Sequence, residues 1–387
     1  MLCNEMKIIN YSNSIKYNLS HKIQKKMRKL FVQIICFCWA INFSLAQTNH
    51  NYEFTIDKQL PVTTVKDQAS SGTCWSFATI SFIESELMRQ GQVELDLSEM
   101  YIARNAYKHK AIMHLRMRGE NFFTYGGQSH DVMNMVSLYG LMPESAFSGK
   151  INGATAHNHA KLDTAAVKFM RKIINKTGND LPLNWISSFD TLLSTHLGRV
   201  PQDFQFQNIT YTPTTFSHDF LKFNPNDYVE ITSYLHHQFY APFFLEDRFN
   251  WAMEEYYNVP FAEFTAIIDS ALNNGYTVCW NGDVSETTFN FWSSSANAGE
   301  LEGKATPELR QQLFDNHATT VDHLMHIVGI AHDRNGLKYY YTKNSWGTQN
   351  SYGGFMFLSE TYIALKTVSI LIHKDAIPQY IREKLGI

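Results

Sequence analysis

Gln68-Ala69-Ser70-Ser71-Gly72-Thr73-Cys74-Trp75-Ser76-Phe77 is the stretch from which the rest of the chain is read. A glycine-containing turn runs into a cysteine. The cysteine opens an apolar run that predicts a helix to about Gln90, stopped by Gly91. A thiol at a helix N-terminus meets the positive end of the macrodipole and N–H groups that lack intrahelical acceptors. Both favour thiolate, and such settings bring a thiol from ~8.5 down to roughly 3.5–7.5. The stretch presents either a cysteine nucleophile with Gln68 held close to it, or a buried cysteine in an amphipathic helix.

The 387 residues are 44% hydrophobic, 14% aromatic and only 18% charged, which suits a large core in two or three domains and excludes a disordered chain. Lys25, Lys26, Arg28 and Lys29 precede an apolar run from Leu30, which closes on the small residues Ser44 and Ala46. That pattern predicts a signal peptide over residues 27–46, cut after Ala46, and export to the periplasm or the exterior. Residues 1–26 show no apolar period and precede a signal of ordinary length, so they are expected to be an over-extended N-terminus. A retained anchor is the alternative. Gln33 and Asn42 interrupt the run, which falls short of about 20 residues, so no stable membrane anchor is expected.

Residues 1–46 hold 7 of the 33 Lys+Arg and 1 of the 36 Asp+Glu, leaving 26 basic against 35 acidic residues, a net of −9. No basic stripe is visible, so no nucleic-acid partner is expected. Cys3, Cys36 and Cys38 fall in the N-terminal segment, and Cys74 and Cys279 follow it. Two cysteines make one disulfide or stay free, and Cys279 reads as a buried strand residue. There is no Cys-x-x-Cys, and His236-His237 reads as a helix pair, so neither metal nor cofactor is expected.

Outward from the opening stretch, Val62–Val65 reads as a strand and Ser98 as a helix N-cap. Tyr125-Gly126-Gly127-Gln128 is a turn before a helix over His130–Tyr139. Residues 147–275 read as mostly helical, with helices at Leu162–Ile174, Leu183–Leu197, Thr212–Leu221, Arg248–Tyr257 and Phe261–Leu272. Strands are expected at Tyr276–Trp280, His326–Ala331, Lys338–Thr342, Phe355–Leu358 and Thr367–His373. The chain thus divides into a helix-rich part carrying Cys74 and a strand-rich part that must supply a base. A cysteine nucleophile needs a base, and the base needs an orienter. His326 opens a strand-like run, and Asn344 follows in Lys343-Asn344-Ser345-Trp346-Gly347, where the Trp346 indole would shield an imidazole–amide hydrogen bond. His323, beside Asp322, is the competing histidine.

Gln68…Ser71-Gly72-Thr73-Cys74-Trp75-Ser76-Phe77, with His326-Ile-Val-Gly and Lys343-Asn344-Ser345-Trp346-Gly347, resembles the papain superfamily of cysteine peptidases. From Cys74 to His326 is 252 residues, against about 130–150 in ordinary papain-like enzymes. That surplus resembles the bleomycin hydrolase and aminopeptidase C branch, as do Gly126-Gly127-Gln128, Tyr139–Pro143, Thr212–Phe216 and Val278–Val284. The resemblance implies an α+β, papain-like fold over residues 47–387: a helical domain, a β-barrel-like domain, a catalytic cleft between them and a helical insertion at about 147–275. It implies a peptidase acting through a Cys74 thioester, with His326 as general acid and Asn344 as its orienter. Gln68 and the Cys74 N–H would form the oxyanion hole, and Gly126, Gly127 and Trp346 would bind peptide substrates. It also implies N-terminal trimming and a homo-oligomer, a hexamer by family resemblance. The branch places its chain end in the cleft, and the tail here, Pro378–Ile387, lacks that end sequence. Rival readings are an endopeptidase or acyl transferase using the same residues, and a silent scaffold on this fold.

Overall fold

The computed structural model describes residues 53–176 and 178–387; the expected signal peptide and the residues before it lie outside them. Helices come first. They are α1 (Cys74–Arg89), α2 (Glu99–Arg116), α3 (Ser129–Tyr139), α4 (Ala160–Ile174) and α5 (Trp185–Leu197). Helix α1 is buried along almost its whole length, because it is packed by helices on one side and by the sheet on the other. Phe82, Ile83 and Leu87 lie in a helical core with Ile102 and Ala106 of α2 and Val132 of α3. Ser98 caps α2 by accepting from Tyr101 N at 3.0 Å.

Twelve strands are present among the described residues. They are β1 (Phe54–Gln59), β2 (Phe204–Phe206), β3 (Ile209–Tyr211), β4 (Tyr228–Thr232), β5 (Pro242–Phe244), β6 (Glu255–Asn258), β7 (Val278–Gly282), β8 (Ser295–Ala296), β9 (His323–Asp333), β10 (Lys338–Lys343), β11 (Phe355–Ser359) and β12 (Thr367–His373). Ten form one sheet in the order β5-β6-β4-β12-β7-β9-β10-β11-β8, with β1 pairing to β9. Its second core packs Trp280, Met325, Met356 and Ile370 against Phe264 and Ile268 of α6 (Phe261–Asn273). Helices α7 (Pro307–Asp315), α8 (Glu360–Lys366) and α9 (Gln379–Leu385) complete the chain. Leu385 and Ile387 belong to this second core, and Lys384 Nζ bonds Glu263 of α6 at 2.8 Å. The tail is therefore held on α6.

The α+β division expected from the sequence is present, with four corrections. The 147–275 segment is helical in its first half, through α4 and α5, but from Phe204 it supplies β2 to β6, three of which extend the main sheet. No helix forms over Arg248–Tyr257. Asp247 Oδ1 captures Phe249 N at 2.7 Å, Asn250 Oδ1 captures Glu254 N at 2.9 Å, and Met253 has φ +56. Such side-chain capture of main-chain donors competes with the helical ladder. Val62–Val65 is not a strand, since Thr63 is spent on Glu84 of α1 and the ladder to β9 is made by β1. His236 and His237 lie in the turn before β5 rather than on a helix. No helix of the described residues is long and apolar enough to cross a membrane.

Candidate active site

Cys74 is the first residue of α1 and is 8% exposed. The first helical bonds run from Ser76 and Phe77 N to Thr73 O, so the Cys74 N–H has no acceptor within the helix. Gly72 takes φ +64, and a Cβ there would lie 2.6 Å from Tyr125 Cβ, so the turn needs glycine. The Leu324 main chain faces the Cys74 sulfur, which places the start of β9 beside the thiol. Burial pushes the thiol up to about 11, with nearby Asp322 adding to the shift and the main-chain bonds opposing it.

Gln68 lies in the turn that leads into α1 and is tied to the loop after β10. Its N–H bonds Ser345 O at 2.9 Å, and its side-chain Oε1 accepts from Ser345 Oγ at 2.7 Å. Holding Oε1 turns Nε2 away from Ser345 and leaves it as a free donor. Asp67 bridges to Trp346 just before it, so the turn into α1 is laced to the loop after β10.

Asn344 pairs with His323 and not with His326, which corrects the expected pairing. His323 Nε2 donates to Asn344 Oδ1 at 2.7 Å, and Trp346 lies over the imidazole at 4.7 Å between ring centroids. The reason is strand alternation. His326 lies opposite Lys343 in the β9–β10 ladder, and directly opposed residues share a face. On that face Lys343 Nζ donates to Ser81 Oγ at 2.8 Å and Ser81 bonds His326 Nδ1 at 2.9 Å, with Phe82 edge-on to the ring. Asn344 and His323 therefore share the other face. His326 is fully buried, and burial with neighbouring Lys343 holds it well below the usual imidazole range. It is a neutral part of the packing between α1 and β9.

His323 Nδ1 has no hydrogen-bond partner among the described residues, so the ring is oriented by Asn344 and open on its other nitrogen. Burial pulls His323 down to about 4 against the opposing pull of Asn344. Burial thus opposes charging of both groups, and an ion pair between them depends on their mutual attraction. Asp322 is pushed up to about 7 by burial, with Asp283 adding to the shift.

Gly126 and Gly127 lie along the helical wall. Gly126 N donates to Gly72 O at 3.0 Å, and a Cβ on Gly127 would meet the Trp75 ring at 2.8 Å. The two glycines form a ledge next to the nucleophile's neighbour. Cys279 is buried on β7 between Thr79 and Ser129, and both it and Cys74 are free thiols. Sequence reasoning weighed His323 but ranked it second, and it passed over Ser345. Only the register that sets His326 opposite Lys343 puts His323 on the face of Asn344, and nothing in the sequence marks Ser345.

The fold and site define a papain-like protein with a thiol at a helix N-terminus and an oriented imidazole on the facing sheet. The chain belongs to the Peptidase C1-like family, whose profile spans residues 9–386. It is similar to Aminopeptidase G of Lactobacillus delbrueckii subsp. lactis, 22% identical over 373 residues covering 85% of each chain. It is also similar to Aminopeptidase C of Listeria monocytogenes serovar 1/2a, 21% identical over 352 residues covering 80% of each. The crystal structure of PepW from Lactobacillus rhamnosis HN001 matches in fold with a TM-score of 0.65 at 17% identity, covering 86% of this chain and 84% of that one.

Proposed function

We propose that the protein is a cysteine-type aminopeptidase in which Cys74 is the nucleophile, His323 its base and acid, Asn344 the orienter, and Gln68 with the Cys74 N–H the oxyanion hole. The observation that carries this reading is the His323–Asn344 bond beneath Trp346, on the strand whose next residue touches the Cys74 sulfur. The Cys74 proton moves to His323 Nδ1 as the sulfur attacks the peptide carbonyl. Gln68 Nε2 and the Cys74 N–H meet the developing oxyanion. His323 returns the proton to the leaving amine, and water then releases the acid from the thioester, with His323 taking a proton from the water. The relatives named as aminopeptidases support N-terminal trimming. Matched free and N-acetylated aminoacyl amides test it: equal cleavage of both refutes the aminopeptidase reading.

Two further parts of the reading rest on sequence. The basic and apolar segment ending at Ala46 supports export, and a native protein beginning at Gln47 by mass spectrometry is the expected result. Family resemblance supports a homo-oligomer. The insertion leaves Leu183 fully exposed and Ile186 at 40%, an apolar start to α5 suited to a subunit contact. Light scattering showing only monomers at micromolar concentration would refute it.

A further inference from the structure

The segment 243–251, the end of β5 and the loop after it, touches both walls of the cleft. On the helical wall the Phe249 ring lies so close to the ledge that a Cβ on Gly126 would be 2.3 Å from it. Phe249 also packs edge-on against Phe122 at 4.8 Å, and Trp251 Nε1 donates to Asp131 Oδ2 at 2.8 Å. On the sheet wall, Phe243, Leu245 and Phe249 share one apolar cluster with Val321 and Val368. Val321 is two residues before His323. The loop therefore spans the cleft beside Gly126 and Gly127, where an extended chain running past the nucleophile would have to pass. The C-terminal tail is docked on α6 and belongs to the second core, so it is not the segment that spans the cleft here.

Asp247 stands in this bridge. Its Oδ1 accepts from Phe249 N at 2.7 Å and from Gln128 Nε2 at 3.3 Å. Gln128 directly follows the glycine ledge, and its own Oε1 is held by Asn281 of β7 at 2.5 Å. The carboxylate is thus held by its own loop and by Gln128, which is itself anchored to β7. It has no salt-bridge partner among the described residues, since the adjacent Arg248 stacks over Phe122 and Phe249 instead. Burial pushes Asp247 up to about 6, against the opposing pull of the Phe249 main chain, the Arg248 charge and Gln128.

We propose that segment 243–251 closes one end of the cleft and that Asp247 binds the free α-amino group of the substrate's N-terminal residue. This rests on the aminopeptidase reading and names the group that enforces it. A substrate ammonium supplies the missing cation, and a peptide with residues N-terminal to that position meets the Phe249 wall.

The test compares aminoacyl-coumarin amides with their N-acetyl counterparts on the full-length protein and on Asp247→Asn. Asparagine keeps an Oδ1 acceptor for Phe249 N and removes the charge, and a thermal melt checks that the variant is folded. Loss of a charge-assisted bond predicts a KM for free-amine substrates about 10- to 100-fold higher, with the free-to-acetyl preference falling by a similar factor. Phe249→Ala is expected to admit N-acetylated peptides cut at internal bonds. On the unaltered protein, alaninamide is expected to compete with substrate and N-acetylalaninamide is not. A folded Asp247→Asn that keeps the wild-type preference overturns the assignment while leaving the aminopeptidase reading intact. Equal inhibition by the two amides overturns it without any variant. A wild-type protein that shows no preference for free amines overturns both.

Discussion

In the proposed mechanism, replacing Gln68 by alanine removes the side-chain donor of the oxyanion hole while leaving the nucleophile and its base untouched. The structure holds that side chain in place. The Gln68 main chain is tied to Ser345 at 2.9 Å and Oε1 is fixed by Ser345 Oγ at 2.7 Å, so Nε2 points in one direction before substrate arrives. A preorganised donor of this kind contributes about 2.7–4 kcal/mol to the transition state, which predicts a loss of about 10²–10³ in kcat. KM should change little, because the ground-state carbonyl does not occupy the oxyanion position. Ser345→Ala frees Oε1 but keeps the amide, so it loses one neutral hydrogen bond of about 0.5–1.5 kcal/mol, or roughly 2- to 13-fold in kcat. The assay is steady-state hydrolysis of fluorogenic aminoacyl amides, with the alkylation rate of Cys74 as a check that the thiol is still presented. A folded Gln68→Ala within about threefold of wild type in kcat would refute the placement of the oxyanion, given the magnitudes such donors show.

Other consequences can be measured alongside. Asn344→Ala removes the 2.7 Å bond that orients His323 and stabilises its charged form, so kcat/KM should fall by roughly 10- to 150-fold, from about 1.5–3 kcal/mol for a bond to a charged group. An unchanged value would separate Asn344 from catalysis. Burial opposes charging of His130, but attraction from Glu230 and Asp131 raises it to about 9. A raised histidine contributes stability that is complete below its unfolded value of about 6.5 and is lost as pH rises through about 9. Chemical denaturation should therefore show stability falling from pH 6.5 to 9 by an amount on the order of 3 kcal/mol, with His130→Gln flattening the slope. A slope unaltered by that substitution would contradict it. Gly127→Ala should raise KM and lower the melting temperature, because its Cβ would lie 2.8 Å from both the Trp75 ring and the Asp131 carboxylate. Wild-type behaviour in both would show that the ledge tolerates a side chain.

Much of the helical body could be read directly. Helix α1 begins at Cys74 because the turn glycine and the apolar run are both local signals, and α4, α5 and α6 carry clear apolar faces. Strand β12 runs over Thr367–His373 as expected, an apolar run buried on both sides. Failures came where side chains override local pattern. Val62–Val65 is β-branched but is spent on buried polar contacts, whereas Phe54–Gln59, a polar-looking lead-in, pairs with β9. Helix α7 carries an ordinary start, Thr306 accepting from Leu309 N with Pro307 at its first position, yet the sequence reading places no element there. The site was legible in its residue types but not in which histidine it uses. His323 and His326 both sit in an apolar strand, and only the pairing of His326 with Lys343 tells which face each takes.

That choice of histidine decides the account. Side-by-side measurement of kcat/KM for His323→Ala and His326→Ala, both checked for folding, tests it most directly. The structure predicts activity near background for His323→Ala. For His326→Ala it predicts catalysis largely retained in a less stable protein, because the ring is packed against Phe82 and bonded to Ser81. Full activity in a folded His323→Ala, or abolished activity in a folded His326→Ala, would contradict it.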